Sequence, residues 1–278
     1  MHLKFCRYSA IIDIDYIEKD TRSMKTKTIG IFDSGIGGLS VLAYARRTMP
    51  DVDFIYYADT EHVPYGTKSQ DEIAEYSFAA ADFLVKNGAE AVLVACNTAT
   101  SMAVDVLRDS FSCPIVGMEP AVKPAVTLHP HERILVCATP ATIHGRKLHD
   151  LLQKNAEQDT VVDLVALPEL VLYAEQGFFD PAVVAEYIKS RVERTDYTAC
   201  VLGCTHFSYF RDSMRLALPD AELIDGTAGT VSRLVYVTDY RYGGGAGAVR
   251  YYQTGAEVVN PMTIDFYESL QHRALSVI

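Results

Sequence analysis

The sequence has no run of about 18 or more apolar residues, no C-x-x-C pair and no long stretch of charges of one sign. The first absence argues against a membrane-spanning helix, and the second argues against structural zinc and a disulfide framework. The six scattered cysteines are therefore expected to be reduced thiols in a cytoplasmic protein. The net charge of -11 is spread along the chain, which predicts no nucleic-acid partner and no membrane partner.

The first 23 residues do not have the pattern of a signal peptide, because acidic residues stand where its apolar core should be. They precede a second methionine, Met24, and from there MKTKTIGIFDSG begins like an ordinary cytosolic chain. We predict that residues 1–23 are an extension outside the fold.

Short apolar runs alternate with amphipathic stretches of helical length from Lys27 onward, which predicts an α/β fold. Because 278 residues exceed one typical core, two domains are expected. Runs that are apolar throughout suit parallel sheets, which bind ligands at the carboxyl ends of their strands. SQDEIAEYSFAAADFLVKNG has the pattern of a helix that ends at Asn87 and Gly88. The predicted strands cover residues 28–32, 53–58, 91–95, 114–118, 133–138, 161–166, 199–203 and 250–254.

One predicted strand end, IGIFDSGIGG, leads into a glycine-rich turn. Asp33 and Ser34 leave the strand, and Gly35, Gly37 and Gly38 then open a helix whose free amides suit an anion. The spacing does not match the G-x-G-x-x-G dinucleotide fingerprint. Tight packing of the turn explains the glycines equally well, so both interpretations stay open.

Two further strand ends share one plan. AVLVACNTATS and TACVLGCTHFS each run from an apolar strand through a small residue and a cysteine into a polar helix start. Cys96 and Cys204 thus lie beside hydroxyl and amide donors at expected helix N-termini, a position that is predicted to lower a thiol pKa from about 8.5 towards neutrality. The cysteines interpreted as small core residues are Cys6, Cys113, Cys137 and Cys200.

Two thiols in matching surroundings limit the classes of reaction that the site could catalyse. A single nucleophile needs one cysteine with a base and leaves the second unused, and redox pairs usually lie close together in sequence. The remaining case is proton transfer on both faces of one carbon, in which a thiolate removes one proton and the opposite thiol delivers another. A cleft between two near-mirror halves would house that reaction.

These motifs resemble those of the bacterial glutamate racemases, in the cofactor-independent aspartate/glutamate racemase superfamily. The resemblance rests on IGIFDSGIGGLSV, YYADTEHVPYG, ACNTATS and GCTHF in that order, and it extends from Thr28 to about Val258. It implies two pseudosymmetric α/β domains of flavodoxin-like or Rossmann-like type, with mostly parallel sheets and the active site in the cleft between them. The implied domains are residues 24–118 with 230–278, and residues 119–229.

The same resemblance implies roles for individual residues. Cys96 and Cys204 would be the acid and base thiols on opposite faces of the glutamate α-carbon, with no metal and no cofactor. Asp33 would lie near Cys96, while His206 and Glu175 would lie near Cys204 and tune its proton transfer. The implied substrate contacts are Asp33, Ser34, Tyr65, Gly66, Asn97, Thr98, Thr139, Thr205 and His206.

A zwitterionic amino acid suits these residue types. Hydroxyls, amides and backbone N–H groups supply donors for its two carboxylates, and Asp33 is the expected acceptor for its ammonium group. Because the α-hydrogen is very weakly acidic, the site must stabilise carbanion character in a water-poor cleft, for which domain closure is expected. The resemblance further implies a homodimer that supplies D-glutamate for peptidoglycan.

The sequence departs from the family pattern at several positions in the second domain. Leu167 stands where a cysteine is usual, and Phe207 and Ser208 stand where Tyr-Pro is usual. Gly145 and Leu148 occupy the places of a usual Ser and Tyr. These differences bear on the shape of the pocket and therefore on strictness for glutamate.

Other classes of protein explain part of the sequence. A phosphate-binding ATPase-like protein would use the Asp-x-Gly-x-Gly-Gly turn but leaves both cysteines unexplained. A noncatalytic amino-acid-binding module would bind glutamate and tolerate serine at both cysteines. Within the superfamily, aspartate racemases typically carry Glu after the threonine of the second thiol block, whereas His206 follows Thr205 here, which favours glutamate.

Overall fold

The computed structural model describes residues 27–155 and 159–276, so the predicted extension at residues 1–23 lies outside the described part. Strands and helices alternate through it, as the α/β prediction requires. The strands are β1 Thr28–Asp33, β2 Asp53–Ala58, β3 Ala91–Val94, β4 Ile115–Gly117, β5 Arg133–Ala138, β6 Val161–Ala166, β7 Ala199–Leu202, β8 Glu222–Asp225, β9 Val249–Gln253 and β10 Ala256–Glu257. The α-helices are α1 Leu39–Thr48, α2 Gln70–Lys86, α3 Asn97–Ser110, α4 Val122–Leu128, α5 Pro140–His144, α6 Arg146–Asn155, α7 Glu169–Glu175, α8 Pro181–Arg191, α9 Arg211–Ala217, α10 Thr227–Val237 and α11 Pro261–Ser276.

These strands form two sheets with the same internal order. In the first sheet β2, β1, β3 and β4 lie side by side and run parallel, and in the second sheet β6, β5, β7 and β8 repeat that arrangement. Strands β9 and β10 extend the first sheet beyond β2, and β10 pairs with β9 in the antiparallel sense. The prediction of mostly parallel sheets is therefore confirmed, and the shared strand order gives the molecule its pseudosymmetry.

The long helix α2 illustrates how local sequence sets an element's ends. The Ser69 side chain accepts a hydrogen bond from the Glu72 N–H, and the Glu72 carboxylate accepts one from the Ser69 N–H, so the two form a capping box. Asn87 closes the helix, and Gly88 follows with a φ of 96°, a conformation that glycine adopts without strain. The predicted helix end is thus confirmed.

Apolar burial follows the sheet order. All but the first residue of β1 and of β2 is buried, and so is every residue of β3 and β7, because helices cover both faces of the sheets. The edge strands β6 and β8 are only partly buried. Among the described residues, no helix has both the length and the apolar content needed to cross a membrane.

The two sheets are joined by packing as well as by the chain. Helix α11 packs against α1 of the first sheet and against the segment 205–210 that follows β7. The Arg273 Nε of α11 donates to the Tyr209 carbonyl at 2.8 Å, and the Tyr209 hydroxyl donates to the Ile36 carbonyl at 2.7 Å. These contacts hold the carboxyl ends of β1 and β7 near each other.

Candidate active site

Both candidate thiols lie at the carboxyl end of the third strand of their own sheet. Cys96 follows β3 and caps α3, while Cys204 follows β7 and precedes the 3-10 helix Thr205–Phe210. Both are buried and line one cavity of about 10 Å³, which has room for a single water molecule. The residues around this cavity are Ser34, Pro64, Tyr65, Gly66, Cys96, Asn97, Thr98, Thr139, Val171, Cys204, Thr205 and His206.

The surroundings of Cys96 favour its protonated form. The sulfur accepts a hydrogen bond from the Ala99 N–H at 3.4 Å and donates to Ser34 Oγ at 3.5 Å. Burial, followed by the charge of Asp33, raises the pKa of the Cys96 thiol. The prediction that the helix N-terminus lowers this pKa is therefore wrong. One N–H group from α3 does not compensate for the loss of water around a thiolate.

Cys204 faces an imidazole instead of a carboxylate. Its sulfur lies 3.6 Å from His206 Nδ1, and His206 Nε2 lies 2.7 Å from Glu175 Oε1. Burial lowers the pKa of His206, but hydrogen bonds with Cys204 and Glu175 outweigh burial and raise it well above its ordinary value. A protonated imidazole is thus favoured between a sulfur and a carboxylate. The predicted α-helix after Cys204 starts late, because 3-10 geometry continues up to α9.

Asp33 lies at the end of β1, between the two halves of the site. Its Oδ1 accepts a hydrogen bond from the Ser34 N–H at 2.8 Å, and its Oδ2 accepts one from Thr205 Oγ1 at 2.9 Å. Burial raises the pKa of Asp33, although the His206 charge and the Thr205 hydrogen bond oppose that rise. The structure therefore joins the carboxylate predicted beside Cys96 to the loop that carries Cys204.

A second contact mirrors the one between Asp33 and Thr205. Thr98, just after Cys96, has its Oγ1 2.9 Å from the Oγ1 of Thr139, which follows β5 of the second sheet. Thr142 Oγ1 lies 3.3 Å from the same Thr98 oxygen. Each thiol-bearing loop thus contacts the end of the first strand in the opposite sheet, and the two contacts together close the cavity.

Side chains from the helix and the loop that follow strands of the second sheet pack against the glycine-rich turn after β1. Glu175 Oε1 accepts a hydrogen bond from the Ile36 N–H at 2.9 Å, so a turn amide does hold an anion, and that anion is a side chain of the same protein. A Cβ on Gly35 would overlap the Glu175 carboxylate, and one on Gly37 would lie 2.5 Å from His206 Nδ1. Both interpretations of the glycines contribute, since the turn binds a carboxylate and permits close packing.

Tyr65 and Gly66 form the wall of the cavity beyond β2. Tyr65 is buried, and its hydroxyl donates to Asp59 Oδ2 at 2.6 Å. Burial, followed by Asp59, raises the pKa of Tyr65, so the phenol stays protonated. A Cβ on Gly66 would lie 2.9 Å from the Thr139 Cβ, which explains why the smallest residue stands at this approach between the sheets.

Asn97 offers a hydrogen-bonding group to a ligand. Its Nδ2 donates to the Met118 carbonyl at 3.5 Å, whereas its buried Oδ1 has no hydrogen-bond partner in the part of the chain that the structure describes. Pro64 and Val171 also line the cavity and were not predicted. Apolar side chains carry no chemical signal in a single sequence, so only the fold reveals them.

The positions that depart from the family pattern lie behind the cavity. Leu148, Leu167 and Phe207 are buried in the core, and neither they nor Gly145 and Ser208 are among the described residues that line the cavity. None of these side chains therefore reaches the closed cavity between the two thiols.

The other described cysteines lie away from the cavity. Cys137 and Cys200 are fully buried on the neighbouring strands β5 and β7, with their sulfurs 3.8 Å apart, and Cys113 is partly buried. Within residues 27–155 and 159–276 there is no cluster of three or more side chains suited to hold a metal ion. Cys6 lies outside the described residues.

Comparison with known proteins identifies the family of this chain. The family model described as Asp/Glu/Hydantoin racemase matches residues 40–234. A glutamate racemase from Halothermothrix orenii is 46% identical over 235 residues, which cover 82% of this chain and 92% of that protein. One from Campylobacter concisus is 51% identical over 214 residues, which cover 74% and 81% respectively. The chain belongs to the glutamate racemases.

A solved structure extends the likeness to the fold. The glutamate racemase of Francisella tularensis, crystallised in complex with D-glutamate, matches with a TM-score of 0.74 at 26% identity. The match covers 89% of this chain and 94% of that one. The α/β architecture of this glutamate racemase family member is therefore shared with an enzyme that holds an amino acid.

Proposed function

We propose that the protein interconverts L- and D-glutamate by moving the α-proton between Cys96 and Cys204. The single observation that carries this proposal is geometric: two buried thiols line one cavity from equivalent positions of two sheets with the same strand order. A binding module gains nothing from this arrangement. Proton transfer on opposite faces of one carbon requires an acid–base group on each face, and two thiols across one cavity would supply both.

The proposed reaction starts with one thiol and one thiolate. The raised pKa of Cys96 keeps its proton on sulfur, and a protonated His206 at 3.6 Å favours negative charge on the Cys204 sulfur. The Cys204 thiolate takes the α-proton from one face and leaves an electron pair on carbon. Cys96 then donates its proton to the other face, and the two sulfurs end with their protonation states exchanged.

The polar lining suits both ends of glutamate. Hydroxyls of Ser34, Thr98 and Thr139 and backbone N–H groups around the cavity are donors for carboxylates, and the unpaired Asn97 Oδ1 is an acceptor for an ammonium group. Because the cavity holds only one water, the contacts between the sheets must separate to admit an amino acid. Reclosure then excludes water from the carbanion.

The remaining inferences concern the whole protein. We propose that residues 24–118 with 230–278 form one domain and residues 119–229 the other, so that opening the cavity moves one sheet relative to the other. We further propose a cytoplasmic homodimer that supplies D-glutamate for peptidoglycan and binds neither nucleic acid nor membranes. Light scattering of the purified protein tests the dimer.

The decisive experiment follows L-glutamate in D2O with a chelator and no added cofactor. Loss of optical activity together with α-deuterium incorporation is expected for the wild type. Cys96→Ser and Cys204→Ser should each racemise at least about a thousand-fold more slowly, because each removes one acid–base group. Each variant should still exchange the α-proton of one enantiomer slowly, and the two variants should act on opposite enantiomers.

Cys113→Ser is the matched control, since its partly buried thiol lies outside the cavity, and it should keep full activity. Racemisation that survives in either cavity variant would contradict the two-thiol mechanism. An inactive wild type would contradict the proposed substrate, and the same assay with aspartate then tests the other amino acid that this superfamily racemises.

A further inference from the structure

Asp59 is a buried carboxylate that the proposed mechanism does not use. It comes directly after β2, in the same position relative to its strand as Ser34 has after β1, and its N–H donates to the Asp33 carbonyl at 3.0 Å. Asp59 does not line the cavity, and only 2% of its surface is exposed. A carboxylate buried to this degree needs partners for its oxygens.

Those partners tie Asp59 to the wall of the cavity. Its Oδ2 accepts the Tyr65 hydroxyl at 2.6 Å, and His62 Nδ1 lies 2.8 Å from Oδ1 and 3.0 Å from Oδ2. The Thr254 hydroxyl, from the turn after β9, donates to Oδ1 at 3.4 Å. Both oxygens are therefore occupied, and the carboxylate is not available to a substrate.

His62 is itself held in place. Its ring stacks on Tyr76 of α2 with a centroid distance of 3.8 Å and an interplanar angle of 15°. Tyr76 also lies beside Tyr65, with ring centroids 6.0 Å apart. The chain from Tyr76 through His62 and Asp59 to Tyr65 thus anchors the cavity wall to a regular helix.

We propose that Asp59, held by His62, is a positioning residue that fixes the Tyr65 side chain and with it the substrate-facing wall around Gly66. A phenol that gives its only hydrogen to a carboxylate has one preferred position, whereas a buried phenol without that acceptor must shift to find another partner for its hydrogen. The inference rests on the proposed function. It adds that Asp59 acts on glutamate affinity through Tyr65 and not through direct contact.

The test is a double-mutant cycle on glutamate kinetics. Asp59→Asn removes the charge that holds the phenol, and it should raise the KM for glutamate about ten-fold with kcat changed less than about two-fold. Tyr65→Phe should have a similar effect. In the Tyr65→Phe background, Asp59→Asn should cause no further change, because the bond through which it acts has gone.

A second aspartate–tyrosine pair provides the matched control. The Tyr240 hydroxyl donates to Asp51 Oδ1 outside the cavity, so Asp51→Asn should leave KM unchanged. An unchanged KM in Asp59→Asn, or equal losses in both backgrounds, would overturn the inference. Thermal unfolding of each variant identifies a loss of fold, in which case Asp59→Glu replaces Asp59→Asn in the cycle. Wild-type activity on glutamate tests the proposed function separately.

Discussion

The two thiols occupy the same topological position but have opposite electrostatic surroundings. Cys96 lies among an N–H group, a hydroxyl and the carboxylate of Asp33, while Cys204 lies against the imidazole of His206, which is backed by Glu175. The shared strand order explains why two sulfurs face one cavity. The different neighbours are the basis of our proposal that the two sulfurs start from different protonation states.

In the proposed mechanism, this difference gives the two thiols separate roles. A carboxylate beside Cys96 disfavours a second negative charge, so the Cys96 sulfur keeps its proton. An imidazole beside Cys204 favours negative charge on sulfur, so that side is ready to accept one.

Beyond replacement of the thiols themselves, the largest effect is expected when the imidazole is removed. His206→Asn should reduce the rate of α-proton removal by Cys204 about a hundred-fold, because the sulfur loses its charge partner. Exchange of the enantiomer whose α-proton faces Cys96 should be slowed less. NMR measurement of α-deuterium uptake from each enantiomer separates the two faces, and equal slowing of both would mean that His206 supports the whole site and not one thiol.

Asp33→Asn is the converse change, since it removes the carboxylate beside Cys96. It should alter exchange at the Cys96 face more than at the Cys204 face. The same assay compares the two variants, and each should slow exchange mainly at a different face. If both variants slow exchange of the two enantiomers in the same ratio, the two thiols do not have separate electrostatic roles.

A smaller effect is expected when the halves are forced apart. A Cβ on Gly37 would lie 2.5 Å from His206 Nδ1, closer than real Cβ contacts, so Gly37→Ala must displace the Cys204 loop. We expect a loss in kcat of about ten-fold, because the two thiols no longer align on one carbon. Gly229→Ala is the control: a Cβ there meets no atom within 4 Å, and full activity should remain.

The thiol pair could be predicted from sequence because the same strand-end motif occurs twice. AVLVACNTATS and TACVLGCTHFS each mark the carboxyl end of a parallel strand, where ligands bind, and their matching plan indicates two halves that face one cleft. Strand β8 was missed, since it has four residues with an acidic residue at each end and is only partly buried. The periodicity signal depends on burial, and an edge strand of this kind lacks it.

The electrostatic environment was harder to predict than the positions. The N-cap position of Cys96 is visible in the sequence, but the burial that raises its pKa depends on the closing contacts made by Thr139 and Thr205 from the other sheet. Glu175 carries no local signal, and only the resemblance to the family pointed to it. Asp59 stands inside the quoted motif YYADTEHVPYG, yet its bond to Tyr65 exists only because the loop folds back on itself.

The smallest expected effect is on the pH dependence of the free energy of unfolding. This dependence separates the Cys204 side of the site from the Cys96 side. Burial lowers the folded-state pKa of His206, but hydrogen bonds with Cys204 and Glu175 outweigh burial and raise that pKa well above the ordinary value of 6.5. With the proposed thiolate beside it, the folded pair holds one proton, whereas the unfolded imidazole and thiol together hold two below pH 6.5 and one above it. The unfolded state therefore binds the extra proton, and stability falls as pH drops below 6.5. Loss of the His206 charge would itself raise the pKa of Asp33, which is why both proteins in the comparison carry Asp33→Asn.

Urea unfolding from pH 5 to pH 8 should show the free energy of unfolding of Asp33→Asn rising by up to about 1.4 kcal/mol per pH unit below pH 6.5 and levelling off above it. Asp33→Asn/His206→Asn should lack this change of slope near pH 6.5, since the imidazole that titrates in the unfolded chain has been removed. Burial raises the pKa of the Cys96 thiol, so its contribution to stability is lost only above pH 9, its ordinary thiol value, which lies outside this window. A slope that persists without His206 would place the titrating group elsewhere, and the imidazole could then no longer account for the difference between the two thiols.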